Sequence, residues 1–173
     1  MLDTGPHPLY SLSMPQIKTF LTFNNQAEEA ARFYTSIFPN SEITRTARYP
    51  DLGPQSPFVT GAVMTVEFTL NGREFVALNG GPQFTFSQGC SIAVLCDTQE
   101  QLDEYWEKFI EAGGTPVACG WITDHFGVSW QIDPKLLIEM ISGTDQAQAG
   151  KAMQAMMGMV KIDSKQLQEA VNS

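Results

Sequence analysis

The sequence is poor in the residues that most often build metal and catalytic centres. It has 2 histidines and 3 cysteines among 173 residues, and Cys90, Cys96 and Cys119 form no C-x-x-C pair. A structural zinc site needs paired ligands, and a disulfide framework in a secreted chain needs an even number of cysteines. We therefore expect reduced thiols in a cytoplasmic protein without a structural zinc.

Basic residues are also scarce. The chain carries 10 Lys and Arg against 19 Asp and Glu, a net charge of -9. Such a chain repels phosphate backbones and anionic lipid, so we expect neither nucleic acid nor a membrane as partner. No apolar run approaches the roughly 20 residues of a membrane helix. Residues 1–14 lack the pattern of a signal peptide, and we predict that they form a disordered extension.

An internal repeat is the most informative positive feature. The segment "FLTFNNQAEEAARFYTSIF" (20–38) aligns without a gap with "IAVLCDTQEQLDEYWEKFI" (92–110). Each copy predicts a short apolar strand followed by an acidic amphipathic helix. Asn25 and Asp97 are the expected helix N-caps. Repetition of this kind indicates two copies of one structural unit.

Several strand-like segments follow each helix. Asn71-Gly72 separates two of them and is a strong hairpin signal. The order is therefore strand, helix and two or three strands, and it occurs twice. The segments are 41–49, 61–70 and 73–79 in the first half, and 115–123 and 127–133 in the second.

Three further motifs are characteristic of one family: "ALNGGPQFTF" (77–86), "CGWITDHFGVSWQI" (119–132) and the Met-rich "KAMQAMMGMVKID" (151–163). With the repeat, they resemble the PhnB-like family of the glyoxalase/bleomycin resistance/dioxygenase (vicinal oxygen chelate) superfamily. This family is often labelled 3-demethylubiquinone-9 3-methyltransferase. The resemblance implies an α+β fold in which two βαβββ modules form a curved mixed sheet around a cleft, usually in a homodimer. The implied parts are modules at 15–82 and 83–142 and a helical tail at 143–173.

The resemblance also locates the positions at which metal-using relatives bind their ion. In this sequence they correspond to Thr19, Val76, Ser91 and Gln131. Divalent ions of this chemistry prefer imidazole nitrogen and carboxylate oxygen, which none of these four residues supplies. We therefore expect no cofactor and no catalytic metal, although a divalent metal remains the alternative.

Strand alternation and loop position add four candidate residues. Glu67 alternates with apolar neighbours and should face the cleft or solvent. Cys119 is either a nucleophile or, with no basic residue nearby in sequence, an inert buried thiol. Trp121 is either a ring for ligand stacking or part of the core. His125 is expected in a loop at the rim of the cleft. The complete predicted ligand-binding set is Thr19, Glu67, Val76, Ser91, Cys119, Trp121, His125 and Gln131.

Three functions remain open from the sequence. The first is binding of a small organic molecule in the cleft without a metal. The second is a metal-dependent lyase, isomerase or dioxygenase that recruits Gln131, Glu67 and His125. The third, methyl transfer, is disfavoured because the chain lacks the Gly-rich strand-to-helix turn of the usual S-adenosylmethionine site. The Met-rich stripe at 153–160 is expected to fill the core of its own chain or to contact a partner subunit.

Overall fold

The computed structural model describes residues 15–173, so the predicted extension at 1–14 lies outside the described residues. The described chain forms two βαβββ modules and three C-terminal helices. The first module contains β1 (Thr19–Phe23), α1 (Ala27–Ile37), β2 (Glu42–Arg48), β3 (Val63–Leu70) and β4 (Arg73–Asn79). The second contains β5 (Ser91–Cys96), α2 (Gln99–Glu111), β6 (Thr115–Pro116), β7 (Trp121–Thr123) and β8 (Ser129–Pro134). The C-terminal helices are α3 (Lys135–Ser142), α4 (Gln146–Met157) and α5 (Ser164–Asn172).

The strands form two sheets with the same topology. The first sheet has the order β1-β4-β3-β2 and the second β5-β8-β7-β6. In both, the first strand of the module is parallel to the last, and the other pairs are antiparallel. The α+β class and the paired βαβββ modules are therefore confirmed. Within the described residues, the eight strands form two mixed sheets of four and no closed barrel.

The two modules share one hydrophobic core. Tyr34 of α1 is fully buried, and its ring centroid lies 6.2 Å from Phe68 of the first sheet and 5.2 Å from Trp130 of the second. Phe33 packs edge-on against Phe109 of α2 at 5.9 Å. Each sheet thus turns one face towards the helices and the shared core. We call the opposite face of each sheet its outer face.

The gapless alignment of the repeat superposes the two helices correctly, but it is one residue out of register for β1 and β5. The gapless alignment places Phe20 over Ile92. Phe20 lies on an outer face and is 59% exposed. Ile92, in contrast, pairs with the fully buried Trp130 and packs against the core. Because successive strand residues alternate between faces, this slip exchanges the two faces of β1 relative to the alignment.

The helix caps also differ from the expected ones by one position. Thr98 caps α2 by accepting the Gln101 amide at 3.3 Å, whereas Asp97 pairs with Lys135 at 2.5 Å. The side chain of Gln26, the N-cap of α1, forms no capping bond. The carboxamide oxygen of Asn79, at the end of β4, instead accepts the Ala27 amide at 2.8 Å. A helix N-terminus needs such acceptors, and here the sheet supplies one.

The C-terminal helices pack on the second module. Asp163 caps α5 by accepting the amides of Lys165 and Gln166. Met156 and Met159 pack against the core, whereas Met153 and Met157 are exposed. The Met-rich stripe therefore fills the core of its own chain in part. Among the helices of residues 15–173, none combines the length and apolar composition needed to cross a bilayer.

Candidate functional site

Three of the predicted ligand-binding residues lie together on the outer face of the second sheet. Gln131 of β8 donates from its side-chain nitrogen to the Ser91 hydroxyl of β5 at 2.6 Å. Trp121 of β7 lies directly opposite Gln131 in the strand register. All three side chains are half-buried, and Ala93 beside them on β5 is exposed. We call Ser91, Trp121 and Gln131 the amide–tryptophan patch.

The amide–tryptophan patch offers a defined set of interactions. It has an amide, a hydroxyl and a large ring on one open surface. The ring supplies apolar area and stacking, while the amide and hydroxyl fix the orientation of a polar group. No charged side chain belongs to it. The arrangement can bind a neutral, partly aromatic molecule, but it contains no group that would donate or accept a proton at neutral pH.

Two other predicted residues lie on the outer face of the first sheet. Val76 is 4% exposed and pairs with both Phe20 and Glu67. A carboxylate oxygen of Glu67 lies 3.0 Å from the Lys18 ammonium, and the other lies 3.8 Å from Arg45. Hydrogen bonds to Glu67 and then Glu74 raise the pKa of Lys18. The carboxylate of Glu67 is therefore committed to ion pairs on a surface of mixed charge.

Thr19 does not share a face with Val76. It pairs with Phe75 in the parallel β1–β4 register, so its side chain lies on the helix side of the first sheet. The outer-face neighbour of Val76 on β1 is Phe20. The one-residue slip of the repeat explains the difference. The gapless alignment transfers the position of Ser91 to Thr19, although Phe20 is the residue on the corresponding face.

His125 lies on the helix side of the molecule. It occupies the turn between β7 and β8 and is exposed. Its ring centroid is 5.1 Å from Phe33 of α1 and 3.8 Å from Phe126. The side chain of Gln131 points to the opposite face of the second sheet. The structure therefore does not bring His125 together with Gln131 or with Glu67.

Asp124, next to His125, is a structural acceptor. Its buried carboxylate accepts the Tyr34 hydroxyl at 2.7 Å and the Trp130 indole N–H at 2.9 Å. It also accepts the backbone amides of Phe126 and Val128, each at 2.9 Å. Burial and then the Asp124 carboxylate raise the pKa of Tyr34 well above its usual range. With four donors around it, this carboxylate joins α1 to the β7–β8 turn.

Cys119 contacts the C-terminal segment through its backbone. Its φ angle is +61°, in the left-handed region, and its side chain is half-buried. Its amide donates to the Met159 carbonyl at 2.8 Å, and the next amide, of Gly120, donates to Val160 at 2.8 Å. The observed contacts of Cys119 are thus structural. They attach the C-terminal segment to the start of β7.

The positions at which relatives bind metal provide poor ligands here. Gln131 is bonded to Ser91, Val76 is buried, and Thr19 faces the helices. Across residues 15–173, no three His, Cys, Asp or Glu side chains are grouped so that they could hold a metal ion. One amide oxygen and one hydroxyl do not match the donor set that zinc, iron or manganese requires.

Asp133 is a buried carboxylate whose environment was not evident from the sequence. Strand alternation places it on the outer face of β8 with Gln131, but it is 4% exposed. Among the described residues, its Oδ1 has no hydrogen-bond partner. Burial raises its pKa to about 6. Its Oδ1 and the side chain of Ile162 both lie beside Gly120, because a Cβ added to that glycine would be 2.5 Å from the first and 3.0 Å from the second.

Comparisons with known proteins agree with this architecture. A family model described as 3-demethylubiquinone-9 3-methyltransferase matches residues 15–133. A PhnB protein from Bacillus cereus is 37% identical, with a TM-score of 0.60; the alignment covers 69% of this chain and 99% of that chain. No curated protein matches this chain.

Two further solved structures are similar. A Staphylococcus aureus protein is 32% identical, with coverage of 69% of this chain and 96% of that chain and a TM-score of 0.31. A Pseudomonas aeruginosa protein is 22% identical, covers 70% of this chain and 98% of that chain, and shares the fold with a TM-score of 0.53. The matching motifs, the paired modules and the family match lead to one conclusion. The chain belongs to the 3-demethylubiquinone-9 3-methyltransferase family, the PhnB-like family of the glyoxalase/bleomycin resistance/dioxygenase superfamily.

Proposed function

We propose that this protein binds a small organic molecule at the amide–tryptophan patch without a catalytic metal. The observation that carries the proposal is the Gln131–Ser91 hydrogen bond beside Trp121 on a partly exposed sheet face. Few convergent polar groups next to a large ring are typical of ligand sites. The donor set supports binding through hydrogen bonds and stacking rather than through coordination.

A homodimer would complete this site. The outer faces expose apolar side chains, with Phe20 on the first sheet at 59% and Leu95 on the second at 45%. Each sheet directs its other face into the core of its own chain, and within residues 15–173 these two side chains stay exposed, which supports contact with another molecule. We infer that two chains place their outer faces together and that the ligand lies between them, largely excluded from water.

A screen of small organic compounds by thermal unfolding tests the proposal. A ligand at 100 times its dissociation constant stabilises the fold by about 2.7 kcal/mol, which corresponds to roughly 5–10 °C for a chain of this size. We expect Gln131→Ala to lose most of this shift for compounds that stabilise the wild type. Gln154→Ala removes the same side chain from an exposed position on α4 and should keep the shift. Equal stabilisation of both variants would contradict the proposed site.

A metal-dependent lyase, isomerase or dioxygenase is the alternative enzyme function. It would need Gln131, Glu67 and His125 to act together, whereas these residues lie on different surfaces. Plasma mass spectrometry of protein purified without a metal-affinity column separates the two functions. We expect far less than one equivalent of zinc, nickel, manganese or iron per chain. A near-stoichiometric metal that Gln131→Ala or Glu67→Ala removes would establish the alternative.

Methyl transfer, the activity in the family label, has little support from the observed topology. The usual S-adenosylmethionine fold has a sheet of about seven mostly parallel strands with a Gly-rich turn after the first, whereas each sheet described here has four mixed strands. We expect calorimetry to detect no S-adenosylmethionine binding. Saturable binding of S-adenosylmethionine would support methyl transfer and contradict this expectation.

A further inference from the structure

A cavity of about 470 Å³ lies in the first module, away from the amide–tryptophan patch. It is bounded by the start of α1, the β2–β3 loop and the segment after β4. Its volume falls within the range of about 300–1,000 Å³ that is usual for small-molecule sites. We propose that this cavity is a separate binding site for planar aromatic amines. The proposal does not depend on the function of the amide–tryptophan patch.

Asn79 holds the three walls of the cavity together. Its carboxamide oxygen accepts the Ala27 amide of α1 at 2.8 Å, and its nitrogen donates to the Val63 carbonyl of β3 at 3.0 Å. Its backbone carbonyl accepts the Tyr49 hydroxyl. A buried side chain with its polar groups satisfied fixes the geometry of its neighbours. The cavity is therefore preformed, which lowers the entropic cost of binding.

The β2–β3 loop provides an aromatic wall. The loop is closed at its base, since the Tyr49 amide donates to Ala62 and the Gly61 amide donates to Tyr49, both at 2.9 Å. Phe58 returns over Tyr49, and the two rings stack at 4.3 Å with an interplanar angle of 9°. This pair and the side chain of Val63 form a largely apolar wall. Such a wall favours a flat aromatic ligand.

The "NGGP" motif (79–82) also lines the cavity. Gly81 has a φ angle of +98°, which strains any residue with a Cβ. A Cβ on Gly80 would lie 2.6 Å from a methyl carbon of Thr22 and 2.9 Å from the Phe84 ring. The two glycines thus let the chain pass close to β1 and turn at the cavity. This gives a physical reason for a motif that otherwise serves only to connect the modules.

The charge of the lining selects an amine rather than an acid. Among residues 15–173, Glu28 is the only Asp, Glu, Lys or Arg in the lining. One of its oxygens bonds Arg32 at 2.6 Å, and the other has no partner among the described residues. The N-terminus of a helix carries a partial charge of about +0.5, but the first turn of α1 contains two carboxylates, Glu28 and Glu29. The free oxygen of Glu28 can accept a hydrogen bond from an ammonium group, and the described lining has no Lys or Arg to pair with a carboxylate, so an amine is favoured over an acid.

Three indole probes on the full chain test the inference. Tryptamine carries an ammonium group, indole is neutral, and indole-3-acetate is an anion of similar size. We expect saturable, submillimolar binding of tryptamine, weaker binding of indole and none of indole-3-acetate. Tryptamine should shift the backbone amide resonances of residues 24–28, 49–63 and 79–83 and leave those of 121–131 unchanged. Binding of all three alike, or of none, would overturn the proposal.

Matched variants locate the site. Glu28→Gln should lower the affinity for tryptamine about tenfold, which is the usual effect of losing one charge-assisted contact. Glu29→Gln removes a carboxylate from the same turn, outside the cavity lining, and should change affinity by less than about twofold. Ala62→Trp, at an exposed lining position, should fill the cavity and abolish binding, whereas Thr60→Trp, outside the lining, should not. Tryptamine binding that survives Ala62→Trp, or equal losses in the two Gln variants, would contradict the proposed site.

Discussion

At the scale of single residues, two buried carboxylates show that strand alternation predicts the face of a side chain but not its burial or hydrogen bonding. Asp124 has four donors, while the Oδ1 of Asp133 has none among the described residues. Alternation correctly places Asp133 on the same face as Gln131. Alternation cannot show that Asp133 is buried while Gln131 is only half-buried, because burial depends on residues far apart in sequence.

The burial of Asp133 predicts a pH-dependent stability. Its folded pKa of about 6 exceeds the usual value of 3.8, so the folded state retains a proton that the unfolded chain has released. The free energy of unfolding should therefore fall as pH rises, by about 1.4 kcal/mol between pH 5 and 7.5. Urea denaturation of wild type and Asp133→Asn across this range measures the contribution.

Asp133→Asn should remove this part of the pH dependence and raise stability at pH 7.5 by up to about 3 kcal/mol. Glu111→Gln, which changes an exposed acid at the end of α2, should leave the pH dependence unaltered. If Asp133→Asn and wild type lose stability in parallel as pH rises, the carboxylate of Asp133 is not desolvated as described.

At the scale of elements, local signals predict what depends on neighbouring residues. Asn71 and Gly72 both have positive φ, as the predicted hairpin turn requires, and the Asp163 that precedes α5 caps that helix through neighbouring amides. The repeat predicts both helices. The repeat does not predict which face each β1 side chain occupies. The gapless alignment that fits the helices is one residue out of register for β1, and a shift of one residue moves every strand side chain to the other face. It also misses the cap of α1, which Asn79 supplies from a distant strand.

Gly72 and Gly150 differ in backbone conformation, although both have space for a larger side chain. Gly72 has a φ of +81° and Gly150 lies inside α4, and at neither position would an added Cβ meet another group within 4 Å. Gly72→Ala should lower the free energy of unfolding by about 1 kcal/mol, because alanine is strained at positive φ. Gly150→Ala should raise it by up to about 1 kcal/mol through helix propensity. Chemical denaturation measures both, and changes of the same sign would contradict the assigned turn.

At the scale of the whole molecule, the family resemblance predicts the two modules but not which surfaces remain uncovered. Both sheets pack against one core through Tyr34, so the outer faces are available to another chain. The predicted ligand-binding residues divide accordingly. Ser91, Trp121 and Gln131 share one outer face, while Thr19 and His125 lie on the helix side. Residue type and spacing cannot determine this division, because it depends on how the modules pack.

The proposed homodimer makes a prediction for the outer faces. Phe20→Glu or Leu95→Glu should shift the protein from dimer to monomer, because a charge replaces an apolar contact at the interface. Met157→Glu changes a side chain that is 68% exposed on α4, outside the sheets, and should leave the dimer intact. Light scattering after size-exclusion chromatography measures the mass. A wild-type monomer, or a dimer lost only in Met157→Glu, would contradict this assembly.

The most direct test is a calorimetric titration with the compound that best stabilises the wild type, using protein treated with a chelator. We predict saturable binding to the chelator-treated wild type and binding at least about tenfold weaker to Gln131→Ala. Binding that appears only after a divalent metal is restored, or that is unchanged in Gln131→Ala, would contradict metal-free recognition at the amide–tryptophan patch.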